Sequence, residues 1–353
     1  MVTKAKPRRK NERNDGPYKK LRADLKAGTA GGVYIFHGEE TYLRQDSVAK
    51  LRALLVPEGC EEFNYHPLEG KGLQVQALVE MAEAMPMMAE NTLITVTDCD
   101  IFKLPADQRD RLTEFLNDVP PYCCLVFIYD TIPYKPNGSM RKLTAAIKKY
   151  VEVVEFLDSE DGPLLNWIRL HFQDMGKDIR RSEAQYLIFT CGRLMAGLLP
   201  EIEKIGAYAK GDFITQEDID AVASPILEAE LFKMIDAVAG RNWDQAARLL
   251  GNLLALKTEP VQILYNLGMQ LRQLWYARIA LDRGWSSDKL ASVCGMHSYR
   301  AKLTMQAARR ADPLWCREAV RQCQILDRRM KSERGADGNA ELKLLLARLG
   351  VGR

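Results

Sequence analysis

VYIFHGEETYLRQ, residues 33–45, is the stretch on which the fold turns. Val33–Phe36 is a short apolar run with the branched and aromatic character of a buried strand. Gly38 breaks it, and an amphipathic stretch runs from Thr41 to Leu55. Strand, glycine turn, helix is how a nucleotide-binding α/β domain begins. In such a domain the turn carries glycines so that backbone N–H groups wrap phosphate. Lys and Ser/Thr then follow, for phosphate and magnesium. Here Gly38 stands where the phosphate loop would start, but Leu43 replaces its second glycine, Arg44 its lysine and Gln45 its Ser/Thr. Glu39 and Glu40 add negative charge where phosphate would sit. The stretch has the layout of a phosphate loop without its chemistry, and ATP hydrolysis by this chain is not expected.

Outward from this stretch, strand and helix patterns alternate up to about Phe156. Phe63–His66, Leu93–Val96, Cys123–Tyr129 and Val151–Phe156 read as further strands. Leu73–Met85, Pro105–Leu116 and Arg141–Tyr150 read as helices between them. The seven apolar residues from Cys123 suit a central strand buried on both faces. Five strands separated by helices predict a mostly parallel sheet, helices on both faces and right-handed crossovers. After Asp158 the strand pattern stops. Helices are predicted over Leu164–Met175, Ser182–Thr190 and Met195–Tyr208, and Thr215 with Asp218 has the spacing of a capping box. Ser224-Pro225 is a break, and amphipathic helices follow to the C-terminus. The fold class is therefore α/β plus all-α, with an α/β domain over 29–158, a small helical domain over 159–224 and a helical domain over 225–353.

Composition excludes several classes. The 353 residues are 47% hydrophobic and 27% charged, ordinary values for a soluble globular protein. No apolar run approaches the ~20 residues that span a bilayer, and the N-terminus lacks a secretory h-region, so a cytoplasmic chain without membrane association is expected. Residues 1–20 hold eight Lys/Arg against Glu12 and Asp15. Residues 1–28 therefore read as a disordered basic tail, either solubilising or able to meet nucleic-acid phosphate. The eight cysteines form no C-x-x-C pair and the four histidines are scattered. Buried free thiols are expected, with no metal site and no cofactor. No G-x-S-x-G elbow is present. Asp98 and Asp100 close the third strand as at best a weak Walker B sequence. A strand-end cap or helix-start role is the better reading of this pair.

Several segments, in order, resemble the delta subunit of the bacterial DNA polymerase III clamp loader. VYIFHGEETYL (33–43) resembles that family's opening, where Gly-Glu-Glu and Tyr-Leu stand in place of a phosphate loop. AMPMMAENTLITV (84–96) resembles its clamp-contacting loop and the following strand. LLPEIEKIGAY (198–208), ITQEDIDAV (214–222) and GNAELKLLLARL (338–349) match later motifs. The resemblance covers roughly residues 30–350 and rests on the order and spacing of motifs that are individually weak. It implies an AAA+-like sheet domain, a small helical domain and a helical collar domain. It also implies a non-catalytic subunit that binds and opens the ring-shaped DNA sliding clamp (beta). Its partners would be the ATPase tau/gamma subunits, delta-prime and primer–template DNA. The residues alone also admit a nucleotide-dependent AAA+ enzyme with an unusual phosphate loop, or a nucleic-acid-binding scaffold acting through the basic tail.

Two sets of candidate residues emerge. The family's pair of adjacent large apolar clamp-contacting residues falls on Met87 and Met88. Many members carry Leu-Phe or Phe-Phe there, whereas this chain has two methionines followed by Glu90 and Asn91. A helix-to-strand loop lies at the surface, where Met85, Met87 and Met88 would form an exposed apolar cluster, a common mark of a partner site. The second set lies beyond Asp312-Pro313, a good helix start. At about 100° per residue, Trp315, Ala319, Cys323, Leu326 and Met330 gather on one face. Arg317, Arg321 and Arg328 fall on the opposite side within about 40° of each other. This stripe is a candidate contact for DNA or a neighbouring subunit, to be weighed against an ordinary solvated face.

Overall fold

In the computed structural model, which describes residues 16–255, 258–332 and 337–351, the chain divides into two units. The first extends to Glu160 and takes in Leu194–Ala196. Its elements are α1 (Gly16–Ala27), β1 (Val33–His37), α2 (Thr41–Leu55), α3 (Glu61–Asn64), β2 (Tyr65–Glu69) and α4 (Val75–Glu83). They continue with β3 (Thr92–Thr97), α5 (Ala106–Leu116), β4 (Cys123–Ile128), α6 (Arg141–Tyr150) and β5 (Val151–Glu155). All five strands are parallel, in the order β2-β3-β4-β1-β5. This is the parallel sheet that the alternation of strand and helix patterns predicts.

Strand periodicity builds the layers. Ile35 pairs in register with Phe127 of β4 and Val153 of β5. Ile35, Ile94, Leu125 and Phe127 pack on Leu78 of α4, Leu112 of α5 and Leu143 and Ile147 of α6. The alternate residues Tyr34, Phe36, Leu93 and Val126 face the other way, onto Leu21 of α1, Leu51 and Leu55 of α2, and Phe156. Each large apolar side chain fully buried this way contributes about 1.5–3 kcal/mol. A helix layer therefore covers both faces, and the C-terminal ends of the strands, where ligands meet such sheets, are left to the loops.

The second unit takes Asp161–Arg193 and the chain from Gly197 on. It contains α7 (Asp161–Asp174), β6 (Asp178–Ile179), α8 (Arg181–Cys191), most of α9 (Met195–Tyr208), β7 (Phe213–Ile214) and α10 (Gln216–Val222). The remaining helices are α11 (Leu227–Ala239), α12 (Trp243–Ala255), α13 (Pro260–Asp282), α14 (Ser287–Cys294), α15 (Ser298–Ala308), α16 (Pro313–Ser332) and α17 (Gly338–Val351). α13 is the long central helix. It buries Ile263, Leu264, Leu267, Leu271 and Leu274 in a core shared with α11, α15 and α16. The Trp315 indole N–H donates to the Leu349 carbonyl at 2.9 Å and ties α16 to α17. The capping box is present: the Thr215 hydroxyl accepts the Asp218 N–H at 3.2 Å, and the Asp218 carboxylate accepts the Thr215 N–H at 2.9 Å. The Ser224-Pro225 break falls between α10 and α11, inside this unit.

The sequence reading differs from the structure in several places. Residues 16–27, expected in the disordered tail, form α1. Leu21 is 1% exposed, Tyr18 lies edge-on to Phe156 at 5.4 Å, and Lys20 pairs with Glu152 at 2.6 Å. Three apolar side chains at helical spacing (Tyr18, Leu21 and Leu25) dock this helix despite its lysines, which a compositional average hides. Residues 1–15 of that tail lie outside the described residues. A second difference is the two-residue parallel ladder of β6 and β7, too short to leave a periodic signal. All eight cysteines are free thiols, five of them buried. Among the described residues no helix is long and apolar enough to cross a membrane.

Candidate functional site

The loop after β1 is stitched to the end of β5. The Phe156 N–H donates to the His37 carbonyl at 2.7 Å, and the Glu40 N–H donates to the Phe156 carbonyl at 3.0 Å. Gly38 has φ +120°, and a Cβ there would lie 2.3 Å from the Phe156 carbonyl oxygen, so only glycine fits. The side chains that replace the phosphate-binding residues are used internally. Arg44, 1% exposed, donates from Nη1 to the Gly38 carbonyl at 2.8 Å, and its Nη2 pairs with the Asp130 carboxylate just after β4. Glu40 is fully buried and its carboxylate accepts the Met195 N–H at 3.0 Å within the same unit. Burial pushes the Glu40 carboxyl above its ordinary range, with backbone N–H groups of Met195, Tyr42 and Ala196 pulling the other way. The cation of an ATPase loop waits for phosphate. The cation here is already satisfied by a carbonyl and a carboxylate of its own chain.

Asp98 takes the capping role. Its backbone is left-handed, at φ +56°. Its carboxylate accepts the N–H groups of Asp130 at 2.8 Å, Thr131 at 3.0 Å and Ile132 at 3.3 Å, and the Thr131 hydroxyl at 2.6 Å. Partial burial raises the Asp98 carboxyl, but these four donors outweigh it and hold the group below the ordinary carboxylate range. Asp100 turns to Lys103 at 3.0 Å and to the Phe102 N–H. The two carboxylates thus organise different loops.

The loop between α4 and β3 has the opposite character. Met85 is 80% exposed, Met87 57% and Met88 86%. An apolar cluster this open is nevertheless held in place. Tyr122 staples both ends: its hydroxyl donates to the Glu83 carbonyl at 2.8 Å and its carbonyl accepts the Thr92 N–H at 2.9 Å. Asn64, at the end of α3 and fully buried, grips the middle. Its Oδ1 accepts the Met87 N–H at 2.8 Å and its Nδ2 donates to the Met87 carbonyl at 2.7 Å. Met88 is left-handed at φ +58°. Phe63, next to Asn64 in sequence, is also 48% exposed. The structure therefore brings Met87 and Met88 together on one anchored loop at the surface. Sequence reasoning missed Asn64, Tyr122 and Phe63. Phe63 was read as a strand residue, and no motif joins 64 or 122 to a loop at 87.

On α16 the expected faces appear. Trp315, Ala319, Cys323 and Leu326 are buried and Met330 packs against the same core, while Arg317, Arg321 and Arg328 are exposed. The stripe is not purely basic, since Arg321 approaches Glu318 at 3.5 Å. Arg317 joins Arg241 and Arg310 around a surface groove of about 760 Å³ whose walls also carry Asp312 and Glu318.

With the geometry in place, likeness to known proteins gives it a family. The family described as "DNA polymerase III, delta subunit" matches residues 34–157, and its C-terminal domain matches residues 228–349. A Bacillus subtilis relative, DNA polymerase III subunit delta, is 24% identical over 330 residues, covering 91% of this chain and 92% of its own. An Aquifex aeolicus relative named "Probable DNA polymerase III subunit delta" is 21% identical over 291 residues, covering 79% and 80%. Among solved structures, the Bacillus subtilis DNA clamp loader delta protein (YqeN) is similar at 24% identity and TM-score 0.49, covering 94% of this chain and 98% of that one. The filled phosphate loop, the parallel sheet and two matched regions at opposite ends of the sequence agree: the chain belongs to the delta-subunit family of DNA polymerase III.

Proposed function

We propose that this chain binds the DNA sliding clamp (beta) through Met87 and Met88 and springs open one of its interfaces during replication. The observation that carries the proposal is the exposure of the methionine pair on a loop stapled by Tyr122 and Asn64. An exposed apolar pair on a rigid mount is a plug in search of a pocket. Methionine suits the task because its unbranched, polarizable side chain adapts to an irregular apolar cavity. The sheet behind the loop serves as a lever. ATP binding and its conformational work belong to partner subunits, the ATPase tau/gamma chains together with delta-prime. The second-unit helices join those partners in a collar, and the three domains over 29–158, 159–224 and 225–353 divide these tasks. Arg317, Arg321 and Arg328 are the candidate contacts to primer–template DNA or to a neighbouring subunit. The complex works in the cytoplasm.

A pull-down with the sliding clamp, comparing the intact chain with M87A/M88A, tests the contact. Each buried apolar anchor is worth about 1–3 kcal/mol, so loss of both weakens capture visibly. Unchanged capture would remove the assignment.

A further inference from the structure

We infer that Asn64 is a positioning residue for clamp recognition, an amide clasp that holds the Met87–Met88 loop in its binding shape. The inference rests on the reading that this methionine pair contacts the clamp. Exposed apolar side chains in water ordinarily collapse onto their own surface. Here Asn64 acts as a one-residue strand edge: with a single side-chain amide it meets both the N–H and the carbonyl of Met87, at 2.8 Å and 2.7 Å. Its Nδ2 also donates to the Cys60 carbonyl at 3.1 Å, which fixes the amide plane. The Cys60 thiol lies 3.6 Å from the Met88 carbonyl as its donor. Two consecutive residues of the loop are thus gripped from α3 and the turn before it. The grip falls at the left-handed Met88 (φ +58°), a conformation that non-glycine residues adopt only when their surroundings impose it. With the clasp gone, Met88 is free to return to the ordinary right-handed or extended regions, and its side chain turns with it.

Only a primary amide makes this pattern, since it offers donors and an acceptor side by side. Asn64→Asp is close to isosteric but, when ionised, accepts only. It keeps the Met87 N–H and sets a carboxylate oxygen against the Met87 and Cys60 carbonyls. When the competent loop shape is only fractionally populated, affinity drops by that fraction. A fall to about one tenth gives roughly a tenfold weaker Kd.

The experiment measures clamp binding by four chains: intact, N64D, M87A/M88A and the triple variant. The expected result is a loss of about tenfold for N64D in the intact background and less than about twofold in the M87A/M88A background. Acidification that protonates the introduced carboxyl of N64D returns one donor and partly restores its binding. Equal loss in both backgrounds would make Asn64 merely structural and overturn the inference. So would unchanged binding by N64D while M87A/M88A still fails, an outcome that leaves the clamp contact standing. If M87A/M88A binds normally, the clamp contact itself falls, and the inference with it. A measurement on the unmodified chain guards against a variant that does not fold. Met87 is 57% exposed, yet its amide hydrogen is bonded to Asn64 and is expected to exchange slowly. Exchange at the rate of an open loop would overturn the clasp.

Discussion

Replacing Arg44 by Met tests the claim that the phosphate-loop position has become a structural one. Met keeps much of the apolar stem and removes the guanidinium. In the intact chain that group is 1% exposed, holds the Gly38 carbonyl at 2.8 Å and pairs with Asp130. A charge-assisted hydrogen bond to a half-buried carbonyl contributes roughly 1.5–3 kcal/mol. The Asp130 side chain is 41% exposed and turns to water when its partner leaves, so that contact adds about 1 kcal/mol at most. The expected loss is about 2–4 kcal/mol. At ~2–4 °C per kcal/mol for a domain of this size, the melting transition falls by roughly 5–15 °C. The assay is thermal unfolding with and without magnesium ATP. Neither the intact chain nor the variant should gain stability from the nucleotide, because Leu43 and Gln45 still deny it a loop. Arg44→Lys should sit between the two in stability and likewise gain nothing. A variant as stable as the parent, or one that magnesium ATP stabilises, would refute the idea of an internally satisfied cation.

Two further predictions concern other charged groups. Asp98→Asn weakens the cap on the loop after β4 and should cost about 1–3 kcal/mol at neutral pH. Because the folded state holds this carboxyl below its ordinary value of 3.8, its stabilisation is fully present above that pH and is lost as pH falls through the folded value. The gap between parent and variant, followed by denaturant unfolding, should therefore close in acid; a gap independent of pH would contradict the capping role. Charge reversal at Arg317, Arg321 and Arg328 should weaken DNA-dependent assembly and flatten its salt dependence by ~0.9 in log–log slope per lost phosphate contact. An unchanged slope would make the stripe a solvated face.

The sheet domain was legible because β1 and β4 are apolar runs followed by amphipathic helices, whereas β2 carries His66, Pro67 and Glu69 and its reading began two residues early. Val33–Phe36 and Cys123–Tyr129 lie on adjacent strands in the structure, β1 and β4. α1 was not legible: Tyr18, Leu21 and Leu25 give it an apolar face, but the lysines and arginines between them dominate any average over the tail. The filled phosphate loop was readable as missing chemistry. What fills it was not, since the Arg44–Asp130 contact joins residues on different elements. The same holds for the methionine loop. Its apolar residues are visible at 85–88, whereas its anchors, Asn64 at the end of α3 and Tyr122 in the turn before β4, carry no local signature. Helix periodicity placed Arg317, Arg321 and Arg328 on one exposed face; the i,i+3 spacing of Glu318 and Arg321, which makes that face less basic, was equally open to it but was not used.

We propose that this chain opens a closed ring without chemistry of its own. The most direct test is the loss of sliding clamps preassembled on circular DNA after addition of this chain alone, in the absence of ATP. The intact chain should release the clamps stoichiometrically, and M87A/M88A should leave them in place. Clamps that stay closed on DNA while the intact chain is bound to them, or that are released equally by M87A/M88A, would contradict it.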